Sequence, residues 1–154
     1  MVLFANTHPS EINDPEVLAL SLRELRDLAP TRPMVLEIHE ATATRSDQMR
    51  DLRTVLTELG IGLAYDDFGA GQARLVELVD VPPDYLKFDM KLVQGIASAS
   101  LERQKMVERL VQMTSELGIV ALAEGIEEQA DHDVCKQMGF VCAQGFLYGR
   151  PAPC

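Results

Sequence analysis

Three times in this chain of 154 residues, a stretch with helical spacing ends on a glycine and passes directly into a short apolar run. The junctions are Leu59-Gly60-Ile61, Leu117-Gly118-Ile119 and Met138-Gly139-Phe140. Glycine just past a helix takes the left-handed conformation that closes it. A short apolar run without alternation marks a strand buried on both faces. The residues before two of these glycines keep helical period: Met49, Leu52, Leu56 and Leu59, then Met106, Val107, Leu110, Val111 and Leu117. Asp14-Pro15 and Ser100 have the chemistry of helix starts, because Asp and Ser cap well and Pro suits the first turn.

This pattern predicts six strands, at Val2–Ala5, Met34–Leu36, Ile61–Tyr65, Tyr85–Phe88, Ile119–Ala123 and Phe140–Ala143. Helices are predicted near 15–28, 46–59, 71–79, 100–117 and 126–138. Repeated strand–helix units imply an α/β fold with a parallel sheet or barrel rather than a sandwich. The length suits one buried core, with no linker or low-complexity tract, so residues 1–154 read as a single domain.

The polar residue closing each strand is the next signal. In order these are Asn6, Glu37, Asp66 with Asp67, Lys87 with Asp89, Glu124 and Gln144. Each alone reads equally as a cap or turn residue. Parallel strands, however, bring their C-terminal ends to one face, where barrel enzymes keep their chemistry. Several carboxylates around one point repel one another unless cations neutralise them. With no Cys or His cluster, oxygen ligands favour magnesium or manganese. An adjacent Asp pair before the glycine loop Gly69-Ala70-Gly71 can bridge two ions, an arrangement suited to in-line phosphoryl displacement. Lys87 would hold the attacking water or screen phosphate charge. From its residues alone, the chain reads as a two-metal phosphoester hydrolase.

Other classes are disfavoured. A formal charge of -10, from 24 acids against 14 bases, repels bulk DNA or RNA. No stretch is apolar enough for long enough to span a bilayer, so no membrane association is expected. The start, Met1-Val2-Leu3-Phe4-Ala5-Asn6, lacks a basic n-region, so no signal peptide is expected. Cys135, Cys142 and Cys154 form no CxxC pair, which disfavours zinc and is consistent with reduced thiols in a cytoplasmic protein. His39, between Ile38 and Glu40, reads as a structural histidine with a supporting role at the site as the alternative. His8 and His132 are assigned no role.

These strand-end residues resemble the EAL family of bacterial cyclic di-GMP phosphodiesterases. Asp66-Asp67-Phe68-Gly69-Ala70-Gly71 is similar to that family's DDFGTG loop, and Leu36-Glu37-Ile38-His39-Glu40 to its LEITE strand. Leu86-Lys87-Phe88-Asp89 resembles its KID strand and Ala123-Glu124-Gly125-Ile126-Glu127 its AEGVE segment. The run from Ala143 to Pro151 resembles AQGYLFGRP, while Phe4-Ala5-Asn6-Thr7-His8-Pro9 fits VNLSP less closely. The resemblance implies that Asn6, Glu37 and Asp66 hold a first Mg2+ or Mn2+ ion. Asp66 would bridge to a second ion, held with Asp67 and Glu124. Lys87 would contact the catalytic water, Gln144 and Asp89 would line the substrate site, and Glu40 and Glu127 would brace neighbouring loops. Lys87, Glu124 and Gln144 form the implied catalytic set, cyclic di-GMP the implied substrate and linear pGpG the product.

The chain also departs from the family pattern. The Glu-Ala-Leu segment that names the family, whose Glu is a metal ligand, does not occur, and the match begins at what would be the third strand. The resemblance therefore implies an incomplete TIM-type barrel of about six parallel strands with flanking helices. The expected partner for its open edges is a second copy or an upstream regulatory domain. Ala70 stands where the pattern has Thr, and Gln72-Ala73-Arg74 replaces a small polar run. Two alternatives stay open: a degenerate module that binds nucleotide or a protein partner without turnover, and a magnesium-dependent barrel in which Lys87 abstracts a proton beside a carboxylate.

Overall fold

The computed structural model describes residues 2–12, 14–39, 46–70 and 75–150. Among the described residues, six strands form one sheet in chain order: β1 (Leu3–Asn6), β2 (Met34–His39), β3 (Ile61–Phe68), β4 (Tyr85–Phe88), β5 (Val120–Ala123) and β6 (Cys142–Ala143). Every neighbouring pair is parallel. Between them lie α1 (Pro9–Ile12), α2 (Pro15–Leu28), α3 (Ser46–Leu59), α4 (Glu77–Asp80), α5 (Met90–Val93), a 3-10 turn at Ile96–Ser98, α6 (Leu101–Glu116) and α7 (Gln129–Met138). No described helix is long and apolar enough to cross a membrane.

The caps follow the sequence logic. Asp14 accepts a hydrogen bond from the Val17 N–H with Pro15 in the first turn, and Ser100 accepts one from Arg103. Gly60, Gly118 and Gly139 all take positive φ, at 61°, 74° and 99°. Two strands start later than predicted because of how those helices close. The N–H of Ile119 donates back to Thr114 O, and that of Phe140 to Cys135 O, so each still serves its helix. Other boundaries differ as well, β1 among them, which is shifted by one residue at each end. Helix α7 begins at Gln129 rather than 126, because the backbone of Ile126 pairs with Gln144 and Leu147 instead. The helix predicted at 71–79 is one turn at Glu77–Asp80, with residues 71–74 outside the described set. Strands β2 and β3 run three residues beyond their predicted ends.

Strand alternation divides the sheet into two faces. The outward set includes Met34, Leu36, Ile38, Ile61 and Leu63, packed with Leu18, Leu22 and Leu56 of α2 and α3. Farther along the sheet, Leu86, Phe88, Ala121 and Ala123 pack with Val107, Val111 and Cys135 of α6 and α7. Tyr65 touches both clusters and donates its hydroxyl hydrogen to Val81 O at 2.8 Å. The opposite face carries Phe4, Glu37, Asp66 and Lys87, and it is concave. The rings of Phe4 on β1 and Tyr85 on β4 lie 5.5 Å apart. In a flat sheet three strand spacings would separate them by about 14 Å. The six strands are therefore a half-barrel, with helices outside and site residues within.

At the other end of the strands, Asp84 fastens the sheet. Its carboxylate takes two hydrogen bonds from Arg53, at 2.6 and 3.0 Å, and one from the Leu63 N–H at 2.8 Å. The hydrogen bond from Arg53 holds its pKa below the usual carboxylate range. A carboxylate whose folded pKa is depressed contributes stability above its unfolded pKa and loses it as pH falls through the folded value. Asp84→Ala is expected to cost about 1–3 kcal/mol, largely by orphaning the Leu63 N–H. Chemical denaturation at pH 7 and at pH 3 measures this, and the gap between parent and variant should shrink at the lower pH.

Candidate active site

The site is assembled at the C-terminal ends of the strands by backbone register. Asn6 lies beside Glu37, and His39 beside Asp66. Past the formal ends of β5 and β6 the ladder continues. The N–H of Glu124 donates to Phe88 O at 3.1 Å and that of Gln144 to Ala123 O at 2.8 Å. Adjacent strands thus fix Glu124 and Gln144 before any side-chain contact is made.

The acid pair depends on a defect in β3. Tyr65 pairs with Leu86 and Phe68 with Phe88, so Asp66 and Asp67 together oppose the single residue Lys87. Two residues against one is a β-bulge, a feature common beside active sites. Asp67 sits at φ 61°, the one described non-glycine residue with positive φ. Aspartate tolerates this conformation better than most residues. By simple alternation Asp67 would point to the helix side and Phe68 inward. The bulge reverses both: Phe68 is buried in the outer core against Phe88, their ring centroids 5.2 Å apart, and Asp67 joins Asp66. Ligand oxygens of Asp66, Asp67 and Glu124 lie within 4.8 Å of one another.

Lys87 lies at the centre, only 3% exposed. Its Nζ is 2.6 Å from Glu37 Oε1, 2.9 Å from Asp66 Oδ1 and 2.9 Å from Glu124 Oε1. Burial disfavours its ammonium, but hydrogen bonds to Glu37, Glu124 and Asp66 outweigh that and hold its pKa above the usual lysine value. Burial pushes the Glu124 carboxyl up, to about 7, against the pull of Lys87. Burial, then the charge of Asp66, also raises Asp67, while His39 opposes the rise. Among the described residues, the carboxylates of Glu37, Asp66, Asp67 and Glu124 therefore gather around one ammonium, leaving negative charge that a cation would neutralise. The donors are all hard oxygens, and this donor set fits magnesium or manganese.

The remaining predicted residues fall around this centre. Gln144 donates from Nε2 to Glu124 Oε1 at 2.5 Å. Asp89 is buried, and its Oδ1 accepts the Lys91 N–H to cap α5. Glu127 accepts a hydrogen bond from Gln94 Nε2 at 3.4 Å, tying its loop to the segment after α5. Asn6 closes β1, exposed beside Glu37. Glu40 lies outside the described residues.

Two contacts went unread in the sequence. His39 Nε2 stands 2.5 Å from Asp67 Oδ2, a pairing that the β3 bulge creates. His132 Nδ1 lies 2.6 Å from the Tyr148 hydroxyl. For the first there was a legible sign. Outward apolar residues recur at 61, 63 and 65 and then at 68, a slip of one that marks the bulge.

Comparison with known proteins bears on the family and the fold. A family model described as the EAL domain matches residues 1–151. The bifunctional diguanylate cyclase/cyclic di-GMP phosphodiesterase MucR of Pseudomonas aeruginosa is 33% identical over 121 residues, covering 78% of this chain and 18% of MucR. The cyclic di-GMP phosphodiesterase RocR of the same organism is 30% identical over 156 residues, covering 96% of this chain and 38% of RocR. The Klebsiella pneumoniae BlrP1 structure, a manganese/cyclic di-GMP complex, superposes with a TM-score of 0.85 at 33% identity, covering 97% of this chain and 39% of that one. The chain thus spans well under half the length of each.

Proposed function

The chain belongs to the EAL domain family, and from that premise we propose that these 154 residues form one part of a cytoplasmic cyclic di-GMP phosphodiesterase domain that yields pGpG. The observation that supports this best is the concave cluster of Glu37, Asp66, Asp67 and Glu124 around Lys87. Asn6, Glu37 and Asp66 would hold one Mg2+ or Mn2+ ion, and Asp66, Asp67 and Glu124 a second. Bound there, the ions would supply charge neutralisation for the phosphodiester and activation of water.

The chain's own groups do the rest. Lys87 spans from β4 to Glu37 on β2 and to Glu124 past β5, so one ammonium sets the spacing of carboxylates from three strands. Its raised pKa keeps it charged and unsuited to remove a proton; its three N–H groups meet Glu37, Asp66 and Glu124, and an ion that took over one of those carboxylates would leave a donor for a water. That is why we do not favour proton abstraction by Lys87. Gln144 holds Glu124 by Oε1, the same oxygen that Lys87 contacts. Asp89 shapes the rim by starting α5 directly after β4. Glu127 braces the loop after β5 through Gln94, and we assign Glu40 the matching role after β2.

A second reading has its own support. No Glu-Ala-Leu tripeptide occurs within these residues, so these residues by themselves would bind nucleotide with little turnover. Both readings need the metal cluster, which calorimetric titration with Mn2+ tests. Asp66→Asn should weaken binding about 10-fold or more, and Asp67→Asn less, because a bridging carboxylate serves both ions. Equal affinity in Asp66→Asn and the parent would rule out the bridge. Adding cyclic di-GMP to the Mn2+-loaded parent then separates turnover from binding alone.

A further inference from the structure

We propose that His39 is a positioning residue that holds the carboxylate of Asp67 in its metal-facing orientation, an inference that rests on the metal reading of the site. Asp67 needs such support. It stands on a left-handed backbone in a bulge, and its side chain is 30% exposed. Left alone, a carboxylate there samples several rotations, and ordering it on binding would cost entropy.

His39 is placed to prevent this. It is the last residue of β2 and lies beside Asp66 in the β2–β3 ladder, so the bulge that turns Asp67 back toward Asp66 also brings it within reach of the imidazole. Nε2 lies 2.5 Å from Asp67 Oδ2. Bare lone pairs on a ring nitrogen and a carboxylate oxygen would repel at this separation, so the contact is a hydrogen bond, with Nε2–H donating and Oδ2 accepting. That hydrogen is present in the protonated ring and in one neutral tautomer, so the contact does not require a charged histidine. Fixing Oδ2 fixes the rotation of the whole carboxylate relative to Asp66 and Glu124. The imidazole is itself half exposed, at 52%, so it contributes little to the core and its removal should leave the fold intact.

Titration calorimetry of the 154-residue chain with MnCl2 tests the assignment, with melting temperatures in EDTA as the fold control. Gln places an N–H donor at similar reach, whereas Leu has none. His39→Leu should bind Mn2+ about 10-fold more weakly, the range expected when a ligand's hydrogen-bond partner is lost, and His39→Gln should stay within about 3-fold of the parent. Both should melt with the parent when metal-free. Parental affinity in His39→Leu, or equal weakening in both variants, overturns the positioning role. Weakening accompanied by a lower metal-free melting temperature makes His39 structural and overturns it as well. A parent chain that binds no Mn2+ removes the metal reading itself and this inference with it. These results are distinct from one another.

Discussion

With Mn2+ present, these 154 residues alone are expected to convert cyclic di-GMP to pGpG about 100-fold more slowly than a version extended at the N-terminus by strands that include a Glu-Ala-Leu segment. On the proposed reading, Asn6, Glu37 and Asp66 would offer the first ion one amide and two carboxylates. Water filling the remaining positions carries no charge, so that ion would be held less tightly and less rigidly. A misplacement of about 1 Å in a catalytic group is enough for a loss of this size. The half-barrel adds a second effect. Strand β1 stands at the edge of the sheet, with exposed Asn6 at its end, so bulk water reaches the site from that side and weakens each electrostatic contact. Binding of the dinucleotide should persist, because the groups on β2 to β6 are in place. Chromatographic quantification of pGpG from the two versions measures the ratio, and rates within a few-fold of each other would contradict this account of the first ion.

Lys87→Met should be more damaging than the loss of any one carboxylate. The ammonium is in contact with Glu37, Asp66 and Glu124 at once, and Glu37 is itself only 5% exposed. Removing one partner of a buried ion pair costs about 3–5 kcal/mol, because the remaining charge is left without compensation. Without Lys87 the carboxylates repel one another, and the Glu124 carboxyl, already pushed up to about 7 by burial, loses the contact that opposes the rise. Stability lost in this way returns as pH falls and protons replace the missing cation. The variant should therefore be weakest near pH 8 and closest to the parent near pH 5, and millimolar Mn2+ should restore part of the loss at neutral pH. On the role proposed for Lys87, turnover should not return with it. Thermal melts across pH, with and without Mn2+, give the result. A variant that tracks the parent at every pH would show that the three contacts contribute nothing net.

Much of the architecture could be read in the residues. The glycines at 60, 118 and 139 close helices by the left-handed conformation their sequence context implied, and helices α2 and α3 lie where the spacing and capping residues put them. Local chemistry of this kind acts over a few residues and leaves a local trace. Strand ends were less legible. The N–H groups of Ile119 and Phe140 look like strand residues by composition, yet they complete the preceding helices. The short helix α5 was missed because its Asp89 cap read as a site residue.

For the site, the sequence by itself determined which residues gather. Parallel strands in chain order, each ending in a polar residue, leave Asn6, Glu37, Asp66, Lys87, Glu124 and Gln144 at one end of the sheet. Tertiary structure alone decided how they face one another. The curvature that brings Phe4 against Tyr85 also lets Lys87 reach Glu37 across β3, and curvature is a property of the whole sheet packed against its helices. The bulge at Asp66-Asp67 turned a strand's two-sided pair into a one-sided pair and brought His39 into contact with it. A single-residue slip in register depends on whether Phe68 gains more in the outer core than Asp67 loses in backbone strain, a balance that exists only once that core has formed around it.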